Sequence, residues 1–116
     1  MNHPVVHFEI GCRDSEKTQA FYSELFGWSV LRSQHSAMVS TGSKDGIQGH
    51  ITALGHEPHN YVNIYVLAED IEATLARVEE LGGRVLIPVT EVPDQGWFAW
   101  FSDIEGTTMG LWKPKM

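Results

Sequence analysis

The residues best equipped for chemistry are histidines, of which this 116-residue chain has six. Imidazole is a frequent metal ligand and the side chain most easily poised near neutral pH. His3, His35, His56 and His59 lie at the terminus or among loop-forming residues and read as solvated surface. His7 and His50 differ, because each falls in a run of β-branched and apolar residues. Side chains alternate along a strand, so Val5, His7 and Glu9 share one face and Val6, Phe8 and Ile10 the other. A histidine and a carboxylate on one row suit proton transfer, with Glu9 a general base if burial raises its proton affinity. A hydrogen-bonded interior His7 and a salt bridge from Glu9 to Arg13 or Arg32 are the structural alternatives. The run from Ile47 to Leu54 puts Gln48, His50 and Thr52 on one row.

The elements that must carry these rows follow a repeated order. Val5–Ile10 reads as a strand, Asp14 as the N-cap of a helix over Ser15–Phe26, and Gly27 as its stop. Tyr22/Phe26 and Phe21/Leu25 have the i, i+4 spacing of a packed helical face. Strands are expected at Trp28–Arg32, Ala37–Thr41 and Ile47–Leu54, and Gly55–Asn60 reads as a linker. The order then restarts. Tyr61–Leu67 is a strand, and Asp70 caps a helix with Ile71, Leu75, Val78 and Leu81 on one stripe, ended by Gly82-Gly83. Arg84–Ile87 is expected to stop at Pro88, and Trp97–Ser102 and Thr107–Trp112 complete the set. A shift of 56 places His7 on Asn63, Asp14 on Asp70 and Gly27 on Gly83, which points to internal duplication. The fold class is therefore α+β: two tandem βαβββ modules, residues 4–54 and 61–114 of one domain spanning 1–116, with helices on the outer face of a curved, cup-like mixed sheet.

The polar rows would line that cup. Tyr61, Asn63 and Tyr65 oppose Val62, Ile64 and Val66, and Thr108, Gly110 and Trp112 share a face of the last strand. Of Trp97, Ala99 and Phe101 against Phe98, Trp100 and Ser102, one set packs as core and the other walls a cavity. His50, Asn63, Tyr65, Trp100 and Trp112 are the expected ligand-binding residues.

Composition bounds the partners. Fifteen acidic against eight basic residues, a net charge of −7, argue against nucleic acid and anionic membrane surfaces. No apolar run approaches the roughly 18 residues of a membrane span. The start lacks the pattern of a signal peptide, and the single Cys12 reads as structural. The expectation is a soluble cytoplasmic protein.

The stretches VVHFEIGCRDSEKTQAFYSELFGWSV and DIEATLARVEELGGRVLIPVTEVPDQGWFAWFSDIEGTTMGLWKPK resemble the vicinal oxygen chelate superfamily of glyoxalase I, bleomycin-resistance proteins and extradiol dioxygenases. The resemblance is greatest to small glyoxalase-like proteins related to lactoylglutathione lyase. It implies metal-ligand positions at His7, His50, Asn63 and Gly110, of which Asn63 and Gly110 depart from the pattern. Glycine has no side chain to ligate with, so His7 and His50 form an incomplete ring. A divalent metal (zinc, nickel, manganese or iron) completed by Glu9 and water stays an open alternative. The implied function is a lyase or isomerase acting on a small organic molecule, with His7 and Glu9 as catalytic residues and no complete metal ring. The rival is a non-catalytic protein that sequesters a small molecule. The family also implies a homodimer.

Overall fold

The computed structural model describes residues 3–31 and 35–115. Its elements run β1 (Val5–Gly11), α1 (Ser15–Phe26), β2 (Ser29–Leu31), β3 (Ser36–Ser40) and β4 (Gln48–Thr52). Then follow β5 (Tyr61–Leu67), α2 (Ile71–Glu80), β6 (Arg84–Val92), β7 (Gly96–Ser102) and β8 (Thr108–Pro114). The order is βαβββ twice, and the fold class is α+β as expected. Cα packing divides the chain into two compact units, Val6–Asn63 and Ile64–Met116 with Met1–Val5.

The two helices begin alike. Asp14 and Asp70 each accept a hydrogen bond from the backbone N–H three residues on, Lys17 at 3.1 Å and Ala73 at 3.0 Å. Thr18 and Thr74 each donate their hydroxyl to the capping residue's carbonyl. Orphan amides at both starts are thus satisfied in the same way, 56 residues apart. Gly27 ends α1 in the left-handed region at φ 73°, as its sequence position suggested.

In the first unit the strand order is β2-β3-β4-β1, antiparallel except for the parallel β1–β4 pair. Helix α1 covers one face, where Ile10, Cys12, Val39 and Ile51 form a core with Phe8, Tyr22, Trp28 and Val30. Cys12 is structural there, its thiol directed at the Thr52 carbonyl. The expected i, i+4 aromatic face is only partly realised. Tyr22 packs inward, but Phe21 and Leu25 are 59% and 57% exposed. The sheet instead takes the narrower stripe Ser15, Gln19 and Tyr22, because two adjacent i, i+4 pairs span more arc than one flat surface can cover. Gln19 is buried because its amide donates to the Ser15 hydroxyl at 2.7 Å.

In the second unit the order is β5-β8-β7-β6, with β5 and β8 parallel. Ala68, Ile71, Leu75, Ala99 and Leu111 form its core, joined by Val66, Trp97 and Phe101. This settles the β7 faces: Trp97, Ala99 and Phe101 are core, and Trp100 points away from the helix. Leu81, expected on the α2 stripe, is exposed because it lies past the last helical turn as the C-cap.

The other corrections concern strand ends. β6 does not stop at Pro88 but continues to Val92. It ends the strand order, and its register slips between Val85 and Ile87 and again between Ile87 and Thr90. An outer strand can absorb a residue lacking an N–H at such an irregularity. β8 runs two residues beyond Trp112, and β4 is shorter than expected. Arg32 lies outside the described residues. No helix among the described residues is long and apolar enough to cross a membrane.

Candidate functional site

The parallel β1–β4 pair builds the candidate site. Its register sets Glu9 opposite His50 and His7 opposite Gln48. Phe8 and Ile10 turn into the core, so His7 and Glu9 occupy the face away from α1. His7 Nε2 lies 2.7 Å from His50 Nδ1, a hydrogen bond between two imidazoles with their rings stacked at 4.9 Å. On the other side of His50, its Nε2 lies 3.6 Å from Glu9 Oε1. That is beyond a hydrogen bond but well within electrostatic reach. Glu9 Oε2 accepts a hydrogen bond from the Tyr61 hydroxyl. His7, His50, Glu9 and Tyr61 therefore form a chain in that order.

Glu9 is only 4% exposed. The carboxylate is tolerated in the interior because it is hydrogen-bonded and faces an ionisable partner. Arg13 is exposed and Arg32 lies outside the described residues; among the described residues Glu9 meets Tyr61 and His50. Burial pushes the His7 imidazole down to about 4, with His50 adding to the effect. Burial also lowers His50, against an opposing upward pull from Glu9. Both imidazoles are neutral at pH 7, so one must donate and the other accept across their contact. Burial and Glu9 together push the Tyr61 phenol far up, which keeps it a hydrogen-bond donor.

Tyr61 was not among the expected site residues. Alternation put it on the row of Asn63, but its contact with a residue 52 positions away has no local signature. Two glycines mark it in retrospect. A Cβ on Gly11 would run into the Tyr61 ring, and one on Gly55 would meet its hydroxyl. Asn63, on the same row, is buried at 3% exposure.

The other expected ligand-binding residues lie in the second unit. Trp100 Nε1–H donates to the Tyr65 hydroxyl at 2.9 Å, with both side chains buried. Register pairs Tyr65 with Gly110, Gly110 with Trp100, and Trp112 with Phe98 and Leu67. These residues face away from the core of Ala99 and Leu111. A Cβ on Gly110 would come within 2.5 Å of the Tyr65 ring, so that ring occupies the space a ligating side chain would need.

The donor set does not fit a divalent metal. A catalytic metal wants about three protein ligands that converge on one point. His7 and Glu9 address opposite nitrogens of His50, so the three make a line and not a ring. Among the described residues no group of three His, Cys, Asp or Glu side chains could hold an ion.

Tyr61, the end of the His7–His50–Glu9–Tyr61 chain, also lines an open groove of about 660 Å³ beside α1. Ile10, Cys12, Lys17, Phe21, Tyr22 and Val62 are among its walls. Phe21 and Val62 leave it strongly apolar at the rim. His7, His50 and Glu9 do not line it.

Known proteins resemble this chain in sequence and in fold. The chain is 27% identical to the anthracycline biosynthesis protein DnrV of Streptomyces peucetius, over 91% of this chain and 45% of that protein. It is 28% identical to a glyoxylase-like domain-containing protein of Didymella fabae, over 89% and 88% of the two chains. The chain thus spans less than half of the first of these relatives and most of the second. Methylmalonyl-CoA epimerase from Mycobacterium tuberculosis superposes with a TM-score of 0.70 at 14% identity, over 97% of this chain and 88% of that one, a likeness of fold alone. The model of the Glyoxalase/Bleomycin resistance protein/Dioxygenase superfamily matches residues 5–110, and the chain belongs to that superfamily.

Proposed function

We propose that the β1–β4 face is a metal-independent proton-transfer site of lyase or isomerase type for a small organic molecule. The observation that carries this reading is the chain from His7 through His50 to Glu9. His7 is neutral above about pH 4 and so able to accept a proton. A proton taken from a substrate carbon would lodge on the imidazole pair, shared across the 2.7 Å contact and balanced by the Glu9 carboxylate. Its return to the same or another carbon would complete an epimerisation or isomerisation. A base this weak needs an acidified C–H, which selects carbons beside a carbonyl. Glu9 acts here as the charge that supports His50 and not as the base itself. The epimerase named among the structural neighbours has a reaction of this class.

The test is deuterium exchange. Small carbonyl acids and ketones that raise the melting temperature of EDTA-treated protein are incubated with it in D2O and followed by proton NMR. Exchange at the carbon beside the carbonyl, falling roughly 10²–10⁴-fold in His7→Ala with the melting temperature preserved, is the expected result. Exchange that survives in both His7→Ala and Glu9→Gln ends the assignment.

A second reading is binding without turnover, favoured by the aromatic row of Tyr65, Trp100 and Trp112 on the face of β5, β7 and β8 away from α2. Tryptophan quenching by a flat ligand recovered unchanged after long incubation supports it, and a time-dependent product overturns it. We also propose a homodimer, on the strength of the apolar groove whose rim exposes Phe21 and Val62. Sedimentation giving only a 13.0 kDa species at tens of micromolar rejects that assembly.

A further inference from the structure

We propose that Tyr61 is a positioning residue for the His7–His50–Glu9 chain: its hydroxyl holds one carboxylate oxygen of Glu9 so that the other faces His50, which decides which nitrogen of His50 carries the proton. This rests on the proton-transfer reading above and adds a residue to it.

Three features of the structure support the assignment. The first is the division of labour on Glu9, where Oε2 accepts from Tyr61 and Oε1 faces His50 Nε2. A carboxylate held by one oxygen has lost the torsional freedom to turn its other oxygen elsewhere. The second is the seat of the ring. Gly11 and Gly55 come from the end of β1 and from the turn after β4, and both give up the space that a Cβ would take from Tyr61. Neither glycine has a positive φ to explain it. Their shared property is room for this aromatic ring. The third is the logic of the imidazole pair. Two neutral rings joined at 2.7 Å have two opposite hydrogen-bond polarities. An anionic oxygen near His50 Nε2 favours a proton there, leaving His50 Nδ1 to accept from His7 Nε2–H. The polarity of the whole chain is then set at the Tyr61 end, through the Glu9 carboxylate.

Histidine 15N shifts read this directly, since protonated and bare ring nitrogens resonate far apart. Spectra are recorded at one pH, 7.5, on EDTA-treated wild type, Tyr61→Phe and Gly55→Ala. Tyr61→Phe keeps the ring between its glycines and removes only the hydroxyl. Gly55→Ala keeps the hydroxyl and pushes it off Glu9, so it also serves if Tyr61→Phe does not fold. Wild type should show His50 in one tautomer, protonated at Nε2. Either variant should shift that tautomer ratio roughly tenfold, the equivalent of one charge-assisted hydrogen bond. Should wild type be as expected and both variants leave the ratio unchanged, Tyr61 has no positioning role. Should wild-type His50 instead carry its proton on Nδ1, the proton-transfer reading itself is overturned.

Discussion

The two modules place different chemistry at the same point of the same scaffold. In the first, the parallel pair β1–β4 sets Glu9 against His50; in the second, β5–β8 sets Tyr65 against Gly110. Glu9 and Tyr65 are 56 residues apart, the same interval that separates the capping residues Asp14 and Asp70. One module has filled this level with groups that titrate. The other has filled it with an aromatic ring lying over a glycine and tied to Trp100. The difference shows that the βαβββ frame constrains the helix-facing row and the caps, and leaves the opposite row open to diverge.

Equality of the cores is the boldest part of this comparison. Ile51 is fully buried in the first core and Leu111 nearly so in the second. Truncating either to alanine should cost about 2–5 kcal/mol, read from urea unfolding. A loss confined to one of them would show that the modules do not share the load. The divergent row should behave asymmetrically. Tyr65→Phe leaves the buried Trp100 N–H without its hydroxyl acceptor and should cost about 1–3 kcal/mol while His7→Ala leaves stability nearly unchanged. A neutral Tyr65→Phe would mean that the aromatic pair is not structural.

Acid sensitivity should belong to the first module alone. His7 and His50 are faced by each other, by Glu9 and, through it, by Tyr61. The fold lowers His7 from 6.5 to about 4 and lowers His50 as well. Between these values the unfolded chain binds protons that the folded chain refuses. Stability is therefore full above pH 6.5 and declines as pH falls toward 4. The His7→Gln/His50→Gln pair should flatten that decline in unfolding midpoints measured at pH 7.5 and 5. An unchanged slope would place the acid-sensitive groups elsewhere. The smallest effects should be the matched caps: Asp14→Ala and Asp70→Ala should each cost about 1 kcal/mol in thermal unfolding, and by similar amounts.

What the sequence made legible was local in origin. Caps, the Gly27 stop and the in–out alternation of β1 depend on neighbours within a few residues, so His7 and Glu9 could be put on one row before any fold was known. The His7–His50 contact depends on the β1–β4 register, which no short window of sequence contains. The Tyr61–Glu9 bond spans still more chain. Local reading also failed where it ignored what an element faces. Phe21 and Leu25 have the spacing of a buried stripe, yet the sheet covers only the arc of Ser15, Gln19 and Tyr22. Pro88 looked like a terminator because the outer position of β6, where a missing N–H is tolerable, is a tertiary fact.

That same strand bears on how copies of the chain can meet in a crowded solution. Open sheet borders invite strand-by-strand stacking between molecules, the first step toward insoluble fibres. Among the described residues β2 offers three, and β6 is interrupted by a proline and two slips of register. Neither border gives an incoming strand a long, flat ladder to copy. Contacts between chains are steered toward side-chain surfaces, where shape can discriminate, and away from backbone edges, which accept almost any sequence.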